Sequence, residues 1–463
     1  MQSFFSKIRH RAQLFYFKIN QLFFYDIVVK EVNRIWKKKD KKNCFIKLKK
    51  LDTKFKNHPL IKSKIAWLLV RNSKYDGFKY IENFEKYRIK WLKKNKKNLN
   101  EIFIPLQQVI GAFGNYSSLY YYILNNNFIS KKKLKLILLV KETEKFTNYA
   151  LFKFFKPYIK LIKDNKTFYE KTNEYFINKA PIEIGLQYKD KYYPNGIATN
   201  LINQHLRNNK KFKKGLFKLD NLIKKQCWNK LFKYGIKNNE KKWFVALHIR
   251  ENNNDKLRNS NPHTYLEAVK YIISKGGHVI RVGDNKMTRL PKIKGLIDYP
   301  FTDLKSEIMD VFLGSECKFC LGTSSGFYQI PIFFGKPVLL VNYVNTFEYF
   351  AIDKNNLFLP KKFFYKKTSI PVSLKLTFGT KIGNYITEKA FSDRKLKVED
   401  NSSKEILSAT KEMFDILKNK KNKDLKTLNN KFKTEISKSY SGLFKNKLRP
   451  LAQIPSCFLK NFY

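Results

Sequence analysis

Apolar positions in the middle of the chain fall in short blocks separated by amphipathic stretches. Residues 243–249, WFVALHI, form one such block, and a polar loop follows over 252–261. From 262 to 275 apolar residues return at helical spacing. Pro262 falls in the first turn of that helix and Gly276-Gly277 follow its last, the asymmetry a helix start and stop should show. Residues 278–282, HVIRV, read as a second strand that ends in Gly283-Asp284. Residues 304–314 have helical spacing, and 318–321 is a short strand running into Gly322-Thr323-Ser324-Ser325-Gly326. A short helix reaches Phe334, with Pro331 tolerable only early in it. Gly335-Lys336-Pro337 then leads to the strand 338–341, which stops at Asn342. Strands alternating with helices predict a parallel, doubly wound sheet.

Upstream the punctuation is weaker. Residues 102–105, the glycine loop 109–115 and the apolar run 119–124 read as strand, loop and helix, and 134–140 suits a buried parallel strand. Residues 148–236 read as largely helical. Residues 1–98 read as basic helices punctuated at Asn57-His58-Pro59, residues 402–419 as an amphipathic helix, and 420–448 as a further Lys-rich helical stretch. The domains predicted are therefore a basic helical region 1–98, a first Rossmann-like half 99–236, a second half 237–400, and C-terminal basic helices 401–463.

The charge changes this picture little. There are 94 Lys and Arg against 37 Asp and Glu, a net charge of +57, but the lysines are spread along the whole chain. Lys, Asn, Ile, Phe and Tyr are abundant together, which is compositional drift rather than a nucleic-acid stripe. Such a field still attracts phosphorylated substrates and anionic membrane surfaces. A basic nucleic-acid binder using aromatic-interleaved runs such as 361–367, KKFFYKK, is the alternative of a different class. No specific nucleic-acid partner is expected.

Five scattered cysteines do not make a disulfide framework. Cys317 and Cys320 have C-x-x-C spacing but lie in an apolar run with no second ligand pair, so buried thiols are expected and no metal site. No apolar run reaches the about 18 residues that span a bilayer. The first residues, MQSFFSKIRHRAQLFYFK, make a poor signal peptide and a candidate interfacial or core-packing helix. A cytoplasmic protein, peripheral at most at the inner face of the membrane, is the expectation.

In an open parallel sheet, ligands bind at the carboxyl ends of the strands. The first strand ends in His248-Ile249-Arg250-Glu251, so His248 and Arg250 share a face at its lip. Arg250 offers a forked, permanent cation to a diphosphate, or else pairs with Glu251 or Asp255 as structural glue. Arg281, Gly283 and Asp284 end the second strand. Thr323, Ser324, Ser325 and Gly326 open a helix with free N–H groups and hydroxyls, a phosphate cradle or an ordinary capped turn. The run G-T-S-S-G is no nucleophile elbow, the six histidines lack metal-ligand spacing, and the 111–115 loop lacks the third glycine of a dinucleotide fingerprint.

The blocks LHIRE at 247–251, GGHVIRVGD at 276–284 and LGTSSGFYQIPIFFGKPVLLVN at 321–342 resemble a family of bacterial glycosyltransferases, and the donor half of fucosyltransferase-like enzymes. Those enzymes carry a His-x-Arg strand end followed by a Ser-rich strand-to-helix turn. The resemblance covers residues 243–342. More loosely, the loop with Gly111, Gly114 and Asn115 resembles the glycine loop of the acceptor-side half. What it implies is α/β GT-B architecture: two Rossmann-like halves facing a cleft, with helical segments added at both ends.

It also implies transfer of a sugar from a nucleotide-diphosphate donor to a saccharide or lipid-linked acceptor, with no resident cofactor or metal. By carry-over Arg250 contacts the diphosphate, while Arg281 and residues 323–326 complete the anion site. Asn342 touches nucleotide or sugar, and Asp310 holds the base or ribose or caps its helix. The general base is one of Glu251, Asp255 and Asp284. A fold of this kind that binds nucleotide sugar without catalysis is a third reading.

Overall fold

The computed structural model describes residues 98–105, 112–168, 185–193, 195–207, 215–236, 243–251, 256–379, 387–438 and 448–463, the helix Lys41–Lys54, residues 382 and 383, and scattered positions between 31 and 96. The predicted N-terminal interfacial helix, Gly111 and Asp255 lie outside the described residues. The chain divides into two compact units. One comprises Met1–Gln108, Lys131–Lys145 and Tyr158–Pro194; the other comprises Val109–Ser130, Phe146–Pro157 and Asn195–Tyr463.

The first unit contains α1 (Lys41–Lys54) and a three-stranded parallel sheet of β1 (Glu101–Pro105), β2 (Lys135–Val140) and β3 (Lys160–Lys163), in that order. Phe103, Ile137 and Leu139 are buried with Phe168 in one cluster that Ile162 flanks. Alternate residues of each strand thus supply one apolar face. An antiparallel hairpin, β4 (Leu186–Tyr188) and β5 (Lys191–Tyr193), follows.

The stretch 148–236, expected to be mostly helix, holds these three strands of three or four residues as well as its helices. Strands so short show no period for a sequence reading to catch. The expected half 99–236 is also divided. Its helix α2 (Tyr116–Leu124) and its helices α3 (Asn195–Leu206) and α4 (Asn221–Phe232) pack in the second unit.

The second unit is built on six strands: β6 (Phe244–His248), β7 (His278–Val282), β8 (Leu296–Asp298), β9 (Cys320–Gly322), β10 (Val338–Tyr343) and β11 (Leu357–Pro360). Their spatial order is β11-β10-β9-β6-β7-β8, and every neighbouring pair is parallel. Numbered within the sheet this is 3-2-1-4-5-6, the doubly wound order of nucleotide-binding halves. The winding reverses between β6 and β9, where His248 pairs with Gly322.

Helices α5 (Leu266–Ser274), α6 (Glu307–Glu316) and α7 (Gln329–Phe333) connect the strands, and α8 (Ser403–Leu417), α9 (Lys423–Lys438) and the short α10 (Ser456–Leu459) follow the last strand. Trp243 and Phe244, adjacent at the start of β6, point to opposite faces. Trp243 meets Phe414 of α8 at 5.7 Å between rings, while Phe244 meets Trp228 of α4 at 5.5 Å. Both faces are therefore covered, which is why β6 and β10 read as unbroken apolar runs. Helix α8 begins with a capping box, Ser402 accepting from Glu405 N while Glu405 accepts from Ser402 N.

Helix α2 is tied in by aromatic rings: Tyr120 stacks on Phe333 at 4.5 Å, and Tyr116 contacts Phe155 at 5.2 Å. Beyond the sheet, β12 (Lys362–Tyr365) and β13 (Leu396–Glu399) pair antiparallel over a small core that includes Phe363, Val372 and Phe391.

Candidate functional site

The loops after β6 and β9 leave the sheet at the reversal and are bonded to each other. Arg250 N donates to Thr323 Oγ1 at 3.0 Å. Arg258, in a short 3-10 turn of the same post-β6 loop, donates from Nε to Ser324 Oγ at 3.3 Å and from Nη2 to the Ser324 carbonyl at 2.8 Å. His248 Nε2 lies 3.3 Å from Ser325 Oγ, and its ring lies parallel to that of Phe327 at 5.9 Å. Thus His248, Arg250, Thr323, Ser324 and Ser325 do converge, and Arg258 joins them. Sequence reasoning missed Arg258 because it falls in the polar loop 252–261, where no strand end marks it; only its spacing after Arg250 was there to be seen.

His248 is half-buried among cations. Burial first, then the Arg250 and Arg281 charges, lower its pKa to about 4. The ring is neutral at neutral pH, and its Nδ1 has no hydrogen-bond partner among the described residues.

Gly326 meets the loop carrying Gly114. A Cβ on Gly326 would stand 2.3 Å from Gly114 N and 3.0 Å from Phe113 Cβ. The glycine loop expected on the acceptor side therefore packs backbone to backbone against the Ser-rich turn, within one compact unit. Asn115 N donates to the Ala112 carbonyl at 3.0 Å, closing that loop just before α2.

Four other expected residues are engaged elsewhere. Arg281 is fully buried: Nη2 lies 2.5 Å from Glu251 Oε1, and Nη1 reaches the Thr288 carbonyl at 2.5 Å and Asp298 Oδ1 at 3.2 Å. It faces Asp298 across the β7–β8 register, so it is a cross-strand ion-pair residue here, not an open anion contact. Glu251 is held by the same guanidinium and accepts from Thr288 N at 3.0 Å. Asn342, at φ 52°, exchanges bonds with Asn401: its N donates to Asn401 Oδ1 at 2.7 Å, and Asn401 N donates to its Oδ1 at 2.6 Å. Asp310 accepts from Tyr299 Oη at 2.9 Å and Lys305 Nζ at 2.5 Å, and burial raises its pKa.

At the end of β7, Asp284 is exposed and accepts from Lys286 N at 2.8 Å. Gly283 has φ 154°, a conformation that side chains rarely adopt, and the flexible Met287 Sδ lies 2.0 Å from where a Cβ would stand.

Two features appear only in three dimensions. Glu348 accepts hydrogen bonds from Tyr343 Oη and from Asn345 Nδ2, and burial raises its pKa while the Arg258 charge opposes the rise. An open surface depression of 430 Å³ is lined by Glu251, Lys256, Asn259, Asn261, Lys361 and Asp400 among others. Lys361 is 3% exposed, with Nζ 2.8 Å from the Asn259 carbonyl and 2.6 Å from Asp400 Oδ1.

Cys317 and Cys320 are buried free thiols whose pKa burial raises. Among the described residues no group of three or more His, Cys, Asp and Glu could hold a metal ion, and no helix is long and apolar enough to cross a membrane.

No protein-family model and no curated protein matches the chain. Among the solved structures similar to it are two of one bacterial protein. One is the bacterial iron-containing dodecameric glycosyltransferase TibC from enterotoxigenic E. coli, at 11% identity and TM-score 0.28 over 53% of this chain and 58% of that one. The other is the dodecameric iron-containing heptosyltransferase TibC in complex with ADP-D-beta-D-heptose, at 12% identity and TM-score 0.26 over 52% of this chain and 57% of that one. The chain spans under two thirds of either relative's length, and at those scores the α/β assignment rests on the strand order itself.

Proposed function

We propose that the second unit binds the nucleotide diphosphate of a sugar donor and that the protein is a glycosyltransferase of GT-B type. The observation that carries this reading is the convergence of Arg250, Arg258 and the 323–326 turn at the reversal of a 3-2-1-4-5-6 sheet, the position where such sheets take their ligands. Departure of a nucleoside diphosphate builds negative charge, and preorganised cations and hydroxyls stabilise it. Arg250 and Arg258 supply that charge in this reading, and Arg281 supports it by anchoring Glu251. Neutral His248 offers a hydrogen bond without adding charge. The nucleoside is assigned to the depression beside Asn259, Asn261 and Lys361.

The acceptor hydroxyl needs a base. Glu251 is occupied by Arg281, which leaves Asp255 and Asp284 from the sequence reading and adds Glu348, whose raised pKa suits proton acceptance. The acceptor in this reading is a saccharide or glycolipid.

The test is a thermal-shift panel of nucleoside diphosphates and nucleotide sugars on wild type, Arg250→Ala and Arg258→Ala in moderate salt. A ligand bound to the native state raises the melting temperature. A shift selective for one nucleotide and lost in both variants is expected. Equal shifts by every polyanion in all three proteins would defeat the donor-site reading.

A further inference from the structure

The strongest surface feature outside this site is the tip of the second unit's small antiparallel sheet. Tyr365 N donates to the Ile370 carbonyl at 3.0 Å, Val372 N donates to the Phe363 carbonyl at 2.8 Å, and Phe364 bridges Pro371. These pairs form one hairpin ladder, with residues 366–369, KKTS, as its turn. Directly opposed residues put their side chains on the same face, and the face alternates from one pair to the next. Phe363 and Val372 are therefore on one side, and both are buried in the local core. Tyr365 and Ile370 are the next pair on that same side, but they overhang the core: Tyr365 is 39% exposed and Ile370 58%.

A hydrophobic pair left this exposed at a hairpin end costs solvation. Around it stand Lys366, Lys367 and Lys395, all exposed, and Lys366 N is bonded to the Lys395 carbonyl at 2.9 Å. None of these three lysines has an ion pair among the described residues. The neighbouring carboxylates are taken, Asp393 by Lys389 at 2.9 Å and Glu399 by Lys397 at 2.7 Å.

We propose that this hairpin tip is a docking surface for an anionic lipid bilayer. Tyr365 and Ile370 enter the headgroup boundary, and Lys366, Lys367 and Lys395 meet lipid phosphates and carboxylates. An apolar wedge rimmed by unpaired cations is the chemistry of interfacial binding. The Ile370 side chain has no use for a nucleic-acid phosphate, which is why lipid is favoured over a polynucleotide. The inference does not depend on the donor site.

A net charge of +57 makes some vesicle binding certain, so the experiment compares positions at equal charge. The full chain is sedimented with vesicles of phosphatidylcholine alone and with added phosphatidylserine, at low and high salt. The variants are Lys366→Glu with Lys367→Glu, Tyr365→Ser with Ile370→Ser, and the control Lys420→Glu with Lys421→Glu on an exposed turn elsewhere in the unit.

The tip charge variant should lose at least about tenfold in affinity for anionic vesicles and the control less than about twofold. The serine variant should lose the binding that survives high salt, because screening removes only the Coulombic part, while its affinity for a single-stranded oligonucleotide stays at the wild-type value. Equal losses at tip and control, or wild-type vesicle binding by both tip variants, would overturn the proposal. So would an oligonucleotide affinity that falls with vesicle affinity in the serine variant. Should the serine variant fail to fold, the two charge variants alone decide.

Discussion

Arg258 grips Ser324 at two points, its side-chain oxygen and its carbonyl, so one guanidinium fixes the second residue of the 323–326 turn from a loop 66 residues away in sequence. Charge-assisted bonds of this kind contribute about 1.5–3 kcal/mol each to whatever they hold. Arg258→Ala should therefore weaken binding of the selected nucleotide by at least about tenfold. Arg258→Lys should recover only part of the loss, since an ammonium cannot make the same forked contact. Calorimetric titration of wild type and both variants measures this, and unchanged affinity in Arg258→Ala would remove it from the site.

Arg250 and Arg281 should separate in opposite ways. Arg281→Met leaves Glu251 and Asp298 facing each other without their cation, and breaking such a buried group costs about 3–5 kcal/mol. Urea unfolding should show a large drop in midpoint for Arg281→Met and a small one for Arg250→Ala. Nucleotide binding at low temperature should show the reverse.

His248 makes a pH prediction. Its folded pKa, about 4, lies below the ordinary 6.5, so the folded state takes up its proton later than the unfolded chain does. The stability this group contributes is complete above about pH 6.5 and is lost as pH falls toward 4, by at most about 3 kcal/mol. Asp310 and Glu348, whose pKa values are raised, titrate with the opposite sign, so the readout is a difference. Between pH 7.5 and 4.5 the unfolding free energy of wild type should fall more than that of His248→Gln. Parallel curves would contradict a half-buried neutral imidazole.

Gly326→Ala should damage both the turn and the loop beneath it, because its Cβ would stand 2.3 Å from a backbone nitrogen that cannot swing aside. Gly114→Ala has a contact at 3.6 Å and should be nearly silent. Melting temperatures and nucleotide affinities of the pair check this, and equal behaviour would mean the two loops do not rest on each other.

Asn401→Ala removes an acceptor from Asn342 N and a donor to the Pro360 carbonyl, both buried. At about 1–3 kcal/mol for each group left unsatisfied, stability should fall by a few kcal/mol. Nucleotide affinity of the folded fraction should hold, because Asn342 is fully buried and bonded to Asn401 and Tyr265.

The six-stranded sheet was readable from its stronger members. His278–Val282 was expected as observed, and the strands at 244–248 and 338–343 within a residue or two, because strands buried on both faces are written as unbroken apolar runs. The strands Leu296–Asp298 and Leu357–Pro360 were not, since three or four residues carry no periodicity. The site was legible where residues lie at strand ends, as with His248 and Arg250. It was misleading at Arg281: of the two carboxylates that hold it, Glu251 and Asp298, the second sits on the strand that could not be read. Arg258 and Glu348 gain their surroundings from loops that only the folded chain brings together.

The second unit draws on three separate stretches of chain, and the two earlier ones, Val109–Ser130 and Phe146–Pro157, bring the rings that pack on Phe333 and the backbone that meets Gly326. This has a consequence for modularity. A recombinant fragment starting near residue 237 would carry all six strands yet lack the support beneath the Ser-rich turn. Transplanting this candidate site into another protein thus requires grafting three non-contiguous pieces rather than exchanging a tail, and natural shuffling by a single crossover would face the same barrier.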